Sequence, residues 1–243
     1  MYEIIDSEYP GYVYLVLSYL LTENTDDDKY DAVQYTTRRY VLYNTFKRVH
    51  DSDLTIEIHG PASTARYTQA NVTFDNVHCM RCLLWPTQAA DWPTRHRNHD
   101  WPDSATVDRV VSNGCDVVNV AHRLCRQDEW MNEYQWRLSF SRAEIVLLNS
   151  WMPVQQIVYH MLRVFVKTER LTDITDSIGS KILSNYNIKS LMLWACELKP
   201  TSWWVEDLNA VRICVELLHT LAVWLTDSRC KHCLLYTSDA ADE

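Results

Sequence analysis

The chain has 243 residues, of which 47% are hydrophobic and 23% are charged, so it has enough apolar material for a buried core. Its four glycines, Gly11, Gly60, Gly114 and Gly179, lie far apart, which excludes any site built on closely spaced glycines, such as a P-loop or a dinucleotide-binding fingerprint. The net charge of −9 argues against a protein whose whole surface follows a nucleic-acid backbone, although it is compatible with a local basic groove.

No segment has the features of a membrane span or of a secretory signal. The longest near-continuous apolar stretch, Tyr12 to Leu21, is about ten residues long, whereas a membrane-spanning helix needs about twenty. The N-terminus has neither a basic start nor the apolar stretch of a signal peptide. We therefore expect the eight cysteines to lie in a reducing compartment, with a cytoplasmic location predicted and a nuclear one as the alternative.

The first predicted elements along the chain are strands. Residues 12–19 mix β-branched, aromatic and leucine side chains, which predicts a buried strand. Residues 54–58 alternate apolar with polar side chains, and residues 71–84 are rich in valine, phenylalanine, methionine and cysteine, which predicts another strand. In residues 85–102, three Trp-Pro pairs exclude a regular helix and predict an ordered connector anchored by tryptophans.

The second half of the chain is predicted to be mostly helical. Residues 104–112 form a short helix stopped by Asn113-Gly114, and strands follow over residues 115–121 and 134–140. Ser141-Arg-Ala-Glu144 has the pattern of a capping box, and the apolar spacing after it is helical. Strands before about residue 140 and helices after it predict an α+β fold with a helical lobe.

The last helical segment and the end of the chain have different patterns. Apolar residues in the last helix recur at steps of three and four, which predicts one apolar face formed by Leu208, Val211, Val215, Leu218, Ala222 and Leu225. Residues 233–243 lack this periodicity and resemble the translated transposase adapter used in sequencing libraries. We expect them to be a read-through artefact, with a genuine polar tail as the alternative.

Two Cys-x-x-Cys pairs, Cys79/Cys82 and Cys230/Cys233, have the spacing of a four-thiolate zinc site. However, the side chains of Cys79 and Cys82 would point to opposite faces of a strand, and Cys233 lies in the adapter-like segment. Free thiols are therefore favoured over structural zinc. His96 in the connector, like the nearby His99, is expected to be solvated rather than metal-bound.

Two strand segments carry candidate ligand-binding residues. Asp75 lies in an apolar stretch where an unpaired carboxylate would be costly, so it either holds a divalent cation or, as the slightly favoured alternative, is partnered or edge-exposed. In residues 134–141, alternation places the apolar residues Trp136, Leu138 and Phe140 on one face and the polar residues Arg137, Ser139 and Ser141 on the other. The polar face suits a phosphate or a base edge, although a half-exposed strand with no ligand has the same pattern.

Several motifs together resemble the Mab-21 (male abnormal) family, which includes cyclic GMP-AMP synthase. The two longest are Gln135-Trp-Arg-Leu-Ser-Phe-Ser-Arg-Ala-Glu144 and Tyr186-Asn-Ile-Lys-Ser-Leu-Met-Leu-Trp-Ala-Cys-Glu197. Shorter matches are Pro10-Gly-Tyr-Val, His59-Gly-Pro-Ala, the Trp-Pro landmarks and Gly114-Cys-Asp-Val-Val. The resemblance covers most of residues 9–232 and points especially to the invertebrate cyclic GMP-AMP synthase-like branch.

The resemblance implies a nucleotidyltransferase fold, in which a mixed sheet carries acidic residues for two metal ions and a helical lobe follows. It implies a partial nucleotidyltransferase-like domain over residues 1–140, with the first catalytic strand missing, and a helical lobe over residues 141–232. By position, Asp75 matches the third metal-binding acid, and Arg137 and Ser139 match nucleotide contacts. Tyr186 matches the aromatic residue that stacks on a base; judged from the residues alone, it is either such a platform or an ordinary residue at the start of a helix. Asn185 stands beside it, where the family has a serine.

The chain also departs from the family pattern. The Gly-Ser loop and the first two metal-binding acids should precede Pro10, where this chain has only nine residues. A phosphate-binding lysine aligns with Tyr159. No counterpart of the mammalian zinc insertion lies between Ser141 and Leu171, so no zinc is predicted.

The implied parent is an enzyme of innate immune sensing that forms a cyclic dinucleotide from ATP and GTP with magnesium or manganese. Its activating ligand is open, with RNA and DNA as candidates. This chain is predicted to be inactive as written, because one remaining acid cannot hold two metal ions. The alternative is a non-catalytic regulatory or scaffold protein that keeps the fold.

Overall fold

In a computed structural model, the described residues are 2–17, 54–59, 62–67, 72–77, 79–99, 101–125, 134–175, 182–205, 210–227 and 232–235. Contacts divide the chain into two compact units. The first contains Met1–Cys82 and Cys115–Ser139, and the second contains Leu83–Gly114 and Phe140–Glu243. None of the helices in these described ranges is both long enough and apolar enough to span a bilayer.

The described residues of the first unit form two antiparallel sheets. The larger one has the strand order β1-β2-β8-β7-β6, and its strands are β1 (Tyr2–Asp6), β2 (Tyr12–Leu17), β6 (Cys79–Cys82), β7 (Cys115–Val118) and β8 (Gln135–Ser139). The smaller sheet has the order β3-β4-β5, formed by β3 (Leu54–His59), β4 (Ala62–Tyr67) and β5 (Val72–Val77).

The predicted strand at the start of the chain is confirmed as β2. Gly11 precedes it with φ of 83°, a left-handed conformation that glycine adopts at little cost. The Gly11 carbonyl accepts a hydrogen bond from the Leu138 amide at 2.8 Å, so the turn is tied to β8. Tyr12 and Val13 then enter the core.

The strand predicted over residues 71–84 is in fact two strands that belong to different sheets. β5 ends at Val77 and pairs with β4, whereas β6 begins at Cys79 and pairs with β7. A continuous run of strand-forming residues carries no signal for which partner each part will find, because the partner is chosen by tertiary packing.

The second unit is helical. Its described helices are α1 (Ser104–Ser112), α2 (Ser141–Asn149), α3 (Pro153–Thr168), α4 (Asn185–Leu198), α5 (Thr201–Val205) and α6 (Ala210–Thr226). Helix α1 has the predicted bounds: Asp103 accepts a hydrogen bond from the Thr106 amide at 2.7 Å at its start, and Gly114 adopts φ of 62° just after its end. Helix α3 packs against α4 and α6.

The connector between β6 and α1 is ordered and anchored by tryptophans, as predicted. It contains a short 3₁₀ turn, Thr87–Ala89. The Trp85 indole donates to the Ala89 carbonyl at 2.7 Å, and the Trp101 indole donates to Ser150 Oγ at 3.0 Å. The Trp92 side chain is fully buried.

The predicted capping box at residues 141–144 is wrong. Ser141 is the first helical residue of α2, Phe140 occupies the cap position, and no side chain caps this helix. Glu144 is buried, and its carboxylate forms an ion pair with Lys189 at 2.5 Å. The serine and glutamate spacing was therefore coincidental, because the glutamate is used for a contact between α2 and α4.

The helix predicted near the end of the chain is confirmed as α6, but the apolar face predicted for it is not the face that packs. Val211 and Val215 are 62% and 61% exposed, whereas α6 buries Ile213, Cys214, Leu217 and Leu221. Both faces are apolar, so periodicity alone could not select the one that packs against its neighbours. Leu208 lies outside the described residues.

The α+β class is confirmed by the strands of the first unit and the helices of the second. The division at residue 140 and the artefact at residues 233–243 stay predictions. Cys233–Leu235 are buried, and Arg95 Nη1 donates to the Cys233 carbonyl at 3.0 Å. Residues 236–243 lie outside the described residues.

Candidate functional site

One face of the larger sheet collects polar residues from three adjacent strands. Cross-strand register aligns Arg81 of β6 with Asp116 of β7, and Asp116 with Ser139 of β8. Arg137 lies two residues before Ser139 on β8 and therefore on the same face. We call Arg81, Asp116, Arg137 and Ser139 the polar face of the sheet.

The polar face combines positive charge with one buried carboxylate. Asp116 is only 3% exposed, Arg81 is exposed, and Arg137 and Ser139 are half-buried. A guanidinium group binds phosphate or carboxylate oxygens in a bidentate manner, and a nearby hydroxyl adds a further donor. The opposite side of β8 buries Trp136 and Leu138, so the predicted alternation is confirmed as far as Ser139. Ser141, which was predicted on the polar side of the strand, is instead the first residue of α2.

The start of β8 is held by a buried amide. Gln135 Oε1 accepts a hydrogen bond from the His122 amide at 2.7 Å, and Gln135 is fully buried. The His122 ring stacks on the Tyr9 ring with 4.1 Å between centroids. These contacts fix the strand that carries Arg137 and Ser139.

A tyrosine on the neighbouring strand β2 has a shifted pKa. Burial, together with a hydrogen bond to Glu8, raises the pKa of Tyr14 to about 12. The Tyr14 hydroxyl lies 3.1 Å from Glu8 Oε2. This phenol is therefore a hydrogen-bond donor at physiological pH, not a base.

Asp75 lies apart from the polar face, on the edge strand β5 of the smaller sheet. It is exposed and accepts a hydrogen bond from Thr64 Oγ1 at 2.7 Å, directly across from it in register. The structure therefore shows the partnered, edge-exposed alternative. Among the residues that the structure describes, no group of three or more histidine, cysteine, aspartate or glutamate side chains could hold a metal ion.

Asn185 and Tyr186 lie in the second unit, in the first turn of α4. Asn187 Oδ1 accepts hydrogen bonds from the Ser184 amide at 2.6 Å and from Ser184 Oγ at 2.8 Å, which stabilises this helix start. Asn185 is exposed, whereas Tyr186 is half-buried. The Tyr186 ring lies 5.6 Å from the His232 ring and 5.3 Å from Lys189 Nζ.

Tyr159, which the resemblance places at the position of a phosphate-binding lysine in cyclic GMP-AMP synthase, is a packing residue on α3. Its ring meets Trp151 edge to face at 5.3 Å, and Arg163 Cζ lies 5.5 Å from its centroid. A neutral aromatic side chain in these contacts cannot replace a lysine charge.

Sequence reasoning missed two sets of buried charges, Asp116 on β7 and a cluster of two arginines with one glutamate in the second unit. Asp116 was missed because all four residues of β7 are buried, so alternation carried no signal that would single it out. In the connector, Arg95 forms an ion pair with Glu197, and Arg97 Nε lies 3.9 Å from the same carboxylate. His96, which lies between the two arginines, is exposed, as expected.

Comparisons with known proteins agree with the motifs. Residues 6–150, more than half of the chain, match the family model described as the Mab-21 protein nucleotidyltransferase domain. "Protein mab-21-like" of Drosophila melanogaster is 28% identical over 161 residues, which cover 64% of this chain and 41% of the relative. "Protein male abnormal 21" is 24% identical over 162 residues in both Caenorhabditis briggsae and Caenorhabditis elegans, covering 64% of this chain and 42% of each relative.

The chain thus matches about two fifths of the length of these curated relatives. The matched region includes the turn at Gly11, the strands β2, β6, β7 and β8 of the larger sheet with its polar face, and the tryptophan-anchored connector. The chain belongs to the Mab-21 family and carries sequence of its nucleotidyltransferase domain.

Proposed function

We propose that this chain supplies part of the nucleotide-binding surface of a nucleotidyltransferase-fold protein, whose complete form makes a cyclic dinucleotide from ATP and GTP. The observation that carries the proposal is the placement of Arg137 and Ser139 on one half-buried face of β8. Cα atoms two residues apart on a strand are separated by about 7 Å, so both side chains can reach oxygens of one triphosphate.

The polar face has a charge balance that suits this role. Asp116 lies between Arg81 and Ser139 in register, so its carboxylate can offset guanidinium charge when no phosphate is bound. In the second unit, the proposal assigns base stacking to the half-buried ring of Tyr186 and places Asn185 beside it as a polar contact.

Metal ions belong to the complete parent in this proposal. Each Mg²⁺ takes a near-octahedral set of oxygen ligands. Asp75 supplies a single carboxylate, and that carboxylate accepts a hydrogen bond from Thr64. The residues described here do not fit a two-metal centre. The function proposed for this chain is therefore binding, and catalysis is assigned to the parent with magnesium or manganese.

Nucleotide binding can be tested by thermal unfolding of the full chain with ATP or GTP. A ligand present at 100 times its dissociation constant stabilises the folded state by about 2.7 kcal/mol. We expect ATP to raise Tm in the wild type, and Arg137→Ala and Ser139→Ala to reduce that rise. Arg142→Ala, an exposed arginine on α2, is the matched control and should keep the full shift. If ATP raises Tm of Arg137→Ala as much as it raises Tm of the wild type, the polar face is not the nucleotide-binding surface.

Catalysis can be tested only in the full-length parent, incubated with ATP, GTP and magnesium while cyclic dinucleotide is measured. There, Asp75→Ala should abolish the product and leave Tm unchanged, because an exposed aspartate contributes little to packing. Asp173→Ala, an exposed acid of the second unit, is the control and should keep full turnover. Unchanged turnover in Asp75→Ala would remove Asp75 from the active site.

A second candidate function is a non-catalytic regulatory or scaffold protein. It is favoured by the aromatic packing of Tyr159 at the position of the phosphate-binding lysine. If the protein is a pure scaffold, neither ATP, GTP nor magnesium should change Tm of the full-length protein, whereas a regulatory protein that keeps a nucleotide pocket should still respond to nucleotide. A nucleotide-dependent rise in Tm would argue against a pure scaffold.

A further inference from the structure

Two cysteines lie directly opposite each other at the ends of adjacent strands in the larger sheet. Cys82 is the last residue of β6, Cys115 is the first residue of β7, and the antiparallel register pairs their Cα atoms. Opposed Cα atoms in such a ladder are about 4.5–5.5 Å apart. Disulfides bridge Cα atoms that are about 4.4–6.8 Å apart, so the backbone is already placed for a bond.

We infer that Cys82 and Cys115 are a thiol-oxidation site, which a hydroperoxide converts reversibly into an intrachain disulfide. The inference rests on the register of the sheet and is independent of nucleotide binding. Both thiols are free in the structure.

The two thiols have unequal environments, which assigns them different roles. Cys82 is half-buried, and a hydrogen bond with Cys115 lowers the pKa of the Cys82 thiol. Cys115 is buried, and the same hydrogen bond together with desolvation holds its pKa well above the usual range. Thiols that react with peroxides have thiolate character and solvent access and often lie beside a resolving cysteine. Cys82 is the attacking thiol and Cys115 the resolving thiol.

The reaction balances as follows. The Cys82 thiolate attacks the terminal oxygen of the peroxide and breaks the O–O bond to give a sulfenic acid. The released alkoxide, which is hydroxide when hydrogen peroxide is the oxidant, takes up the proton that the Cys82 thiol lost and leaves as an alcohol or as water. The Cys115 sulfur then attacks the Cys82 sulfur, the S–O bond breaks, and the Cys115 proton leaves with the hydroxyl as water. Together the thiols lose two electrons, and the hydroperoxide gains two.

The disulfide would close a covalent loop, and the chain within that loop is a segment of the second unit. The chain leaves the first unit after Cys82 and returns to it at Cys115, and Leu83–Gly114 lies between them. Closing a loop reduces the conformational entropy of the unfolded chain. Oxidation should therefore raise Tm, and reduction should reverse the rise.

A neighbouring cysteine on the same strand is a built-in control. Cys79 is exposed, but in register it lies opposite Val118. Since no thiol faces it across the β6–β7 ladder, oxidation of Cys79 should stop at the sulfenic acid or proceed to higher oxides. Exposure alone therefore does not predict a disulfide.

The test is peptide mapping of the full chain after treatment with hydrogen peroxide and alkylation of the remaining thiols. Trypsin cleaves after Arg81 and Arg109, so Cys79, Cys82 and Cys115 fall on three separate peptides. We expect the peptide that begins at Cys82 to be linked to the peptide that contains Cys115. The mass should be lower by two hydrogens, and dithiothreitol should restore it. Tm should rise by several degrees on oxidation.

Variants sharpen the test. Cys79→Ser should keep the crosslink and the rise in Tm, whereas Cys82→Ser should lose both. A Cys82 peptide linked to another cysteine, or recovered only as sulfinic or sulfonic acid, would overturn the inference. Cys115→Ser should also lose the crosslink. If this variant fails to fold because Cys115 is buried, the peptide map of the wild type decides the question without it.

Discussion

Glu197 is a buried acid of the second unit that lies between two arginines of the connector. It is 4% exposed, forms an ion pair with Arg95, and lies 3.9 Å from Arg97 Nε. The two guanidinium groups in turn lie 4.9 Å from the ring centroids of Trp194 and Trp92, respectively. A charge removed here leaves its partners buried without compensation.

We therefore expect Glu197→Gln to lower the free energy of unfolding by about 3 kcal/mol or more. Glu216→Gln is the control, because Glu216 is exposed and its pair with Arg212 on α6 has a separation of 3.8 Å. The control should change stability by less than about 1 kcal/mol. Urea denaturation measures both, and equal losses would show that burial of the Glu197 pair has no special energetic weight.

Tyr14 predicts an alkaline dependence of stability. Its pKa of about 12 in the folded state lies above the value of 10.0 for a free tyrosine. As pH rises from 10, the unfolded chain releases this proton first, so the contribution of Tyr14 to stability is lost between pH 10 and about 12.

NMR of ¹³Cζ-labelled tyrosine should show one resonance titrating near pH 12 that is missing in Tyr14→Phe. Glu8→Gln should lower the Tyr14 midpoint only part of the way toward 10.0, because burial is a larger cause of the raised pKa than the hydrogen bond to Glu8. A Tyr14 midpoint near 10 in the wild type would contradict the assigned environment.

At the scale of elements, short-range signals predicted structure well. Helix α1 was predicted to its last residue because its stop signal, Asn113-Gly114, is local. The strand β8 and its buried face followed from alternation in residues 134–140. Asp116 was missed because both sides of β7 are buried and its other three residues are apolar, so no alternation singles out this aspartate.

In helix α6, periodicity predicts the helix but not the face that is buried. Two substitutions test which face packs. Ile213 and Leu217 are buried, whereas Val215 between them is 61% exposed. Leu217→Ala should cost about 2–5 kcal/mol, and Val215→Ala should stay within about 0.5 kcal/mol. Chemical denaturation compares the two, and a larger loss in Val215→Ala would restore the face predicted from the sequence.

At the scale of the whole molecule, the pairing of distant strands was beyond sequence reasoning. The larger sheet pairs Tyr12 of β2 with Arg137 of β8, so the candidate phosphate contact lies beside a residue from the start of the chain. Local propensity cannot select such a partner, because the choice depends on packing across the sheet. The order of strands and helices along the chain predicts the α+β class, and the Mab-21 motifs add the nucleotidyltransferase fold to that prediction.

The net charge of −9 belongs to the whole chain and predicts its behaviour toward nucleic acid. Binding to duplex DNA without sequence preference depends on lysine and arginine neutralising phosphates, and 23 such residues face 32 acids here. Non-specific DNA-binding proteins have dissociation constants of about 10⁻⁴ to 10⁻⁶ M at physiological salt. We expect this chain to bind more weakly than that range.

Fluorescence anisotropy with a labelled duplex measures the affinity, and a salt titration identifies its origin. Weak binding that disappears as salt rises would place any DNA contact in diffuse surface charge. Micromolar binding that Arg137→Ala leaves intact would contradict the expectation and reveal a local basic groove separate from the polar face. Arg137→Ala, measured in both the ATP assay and the DNA assay, therefore separates nucleotide binding at the polar face from DNA binding elsewhere on the chain.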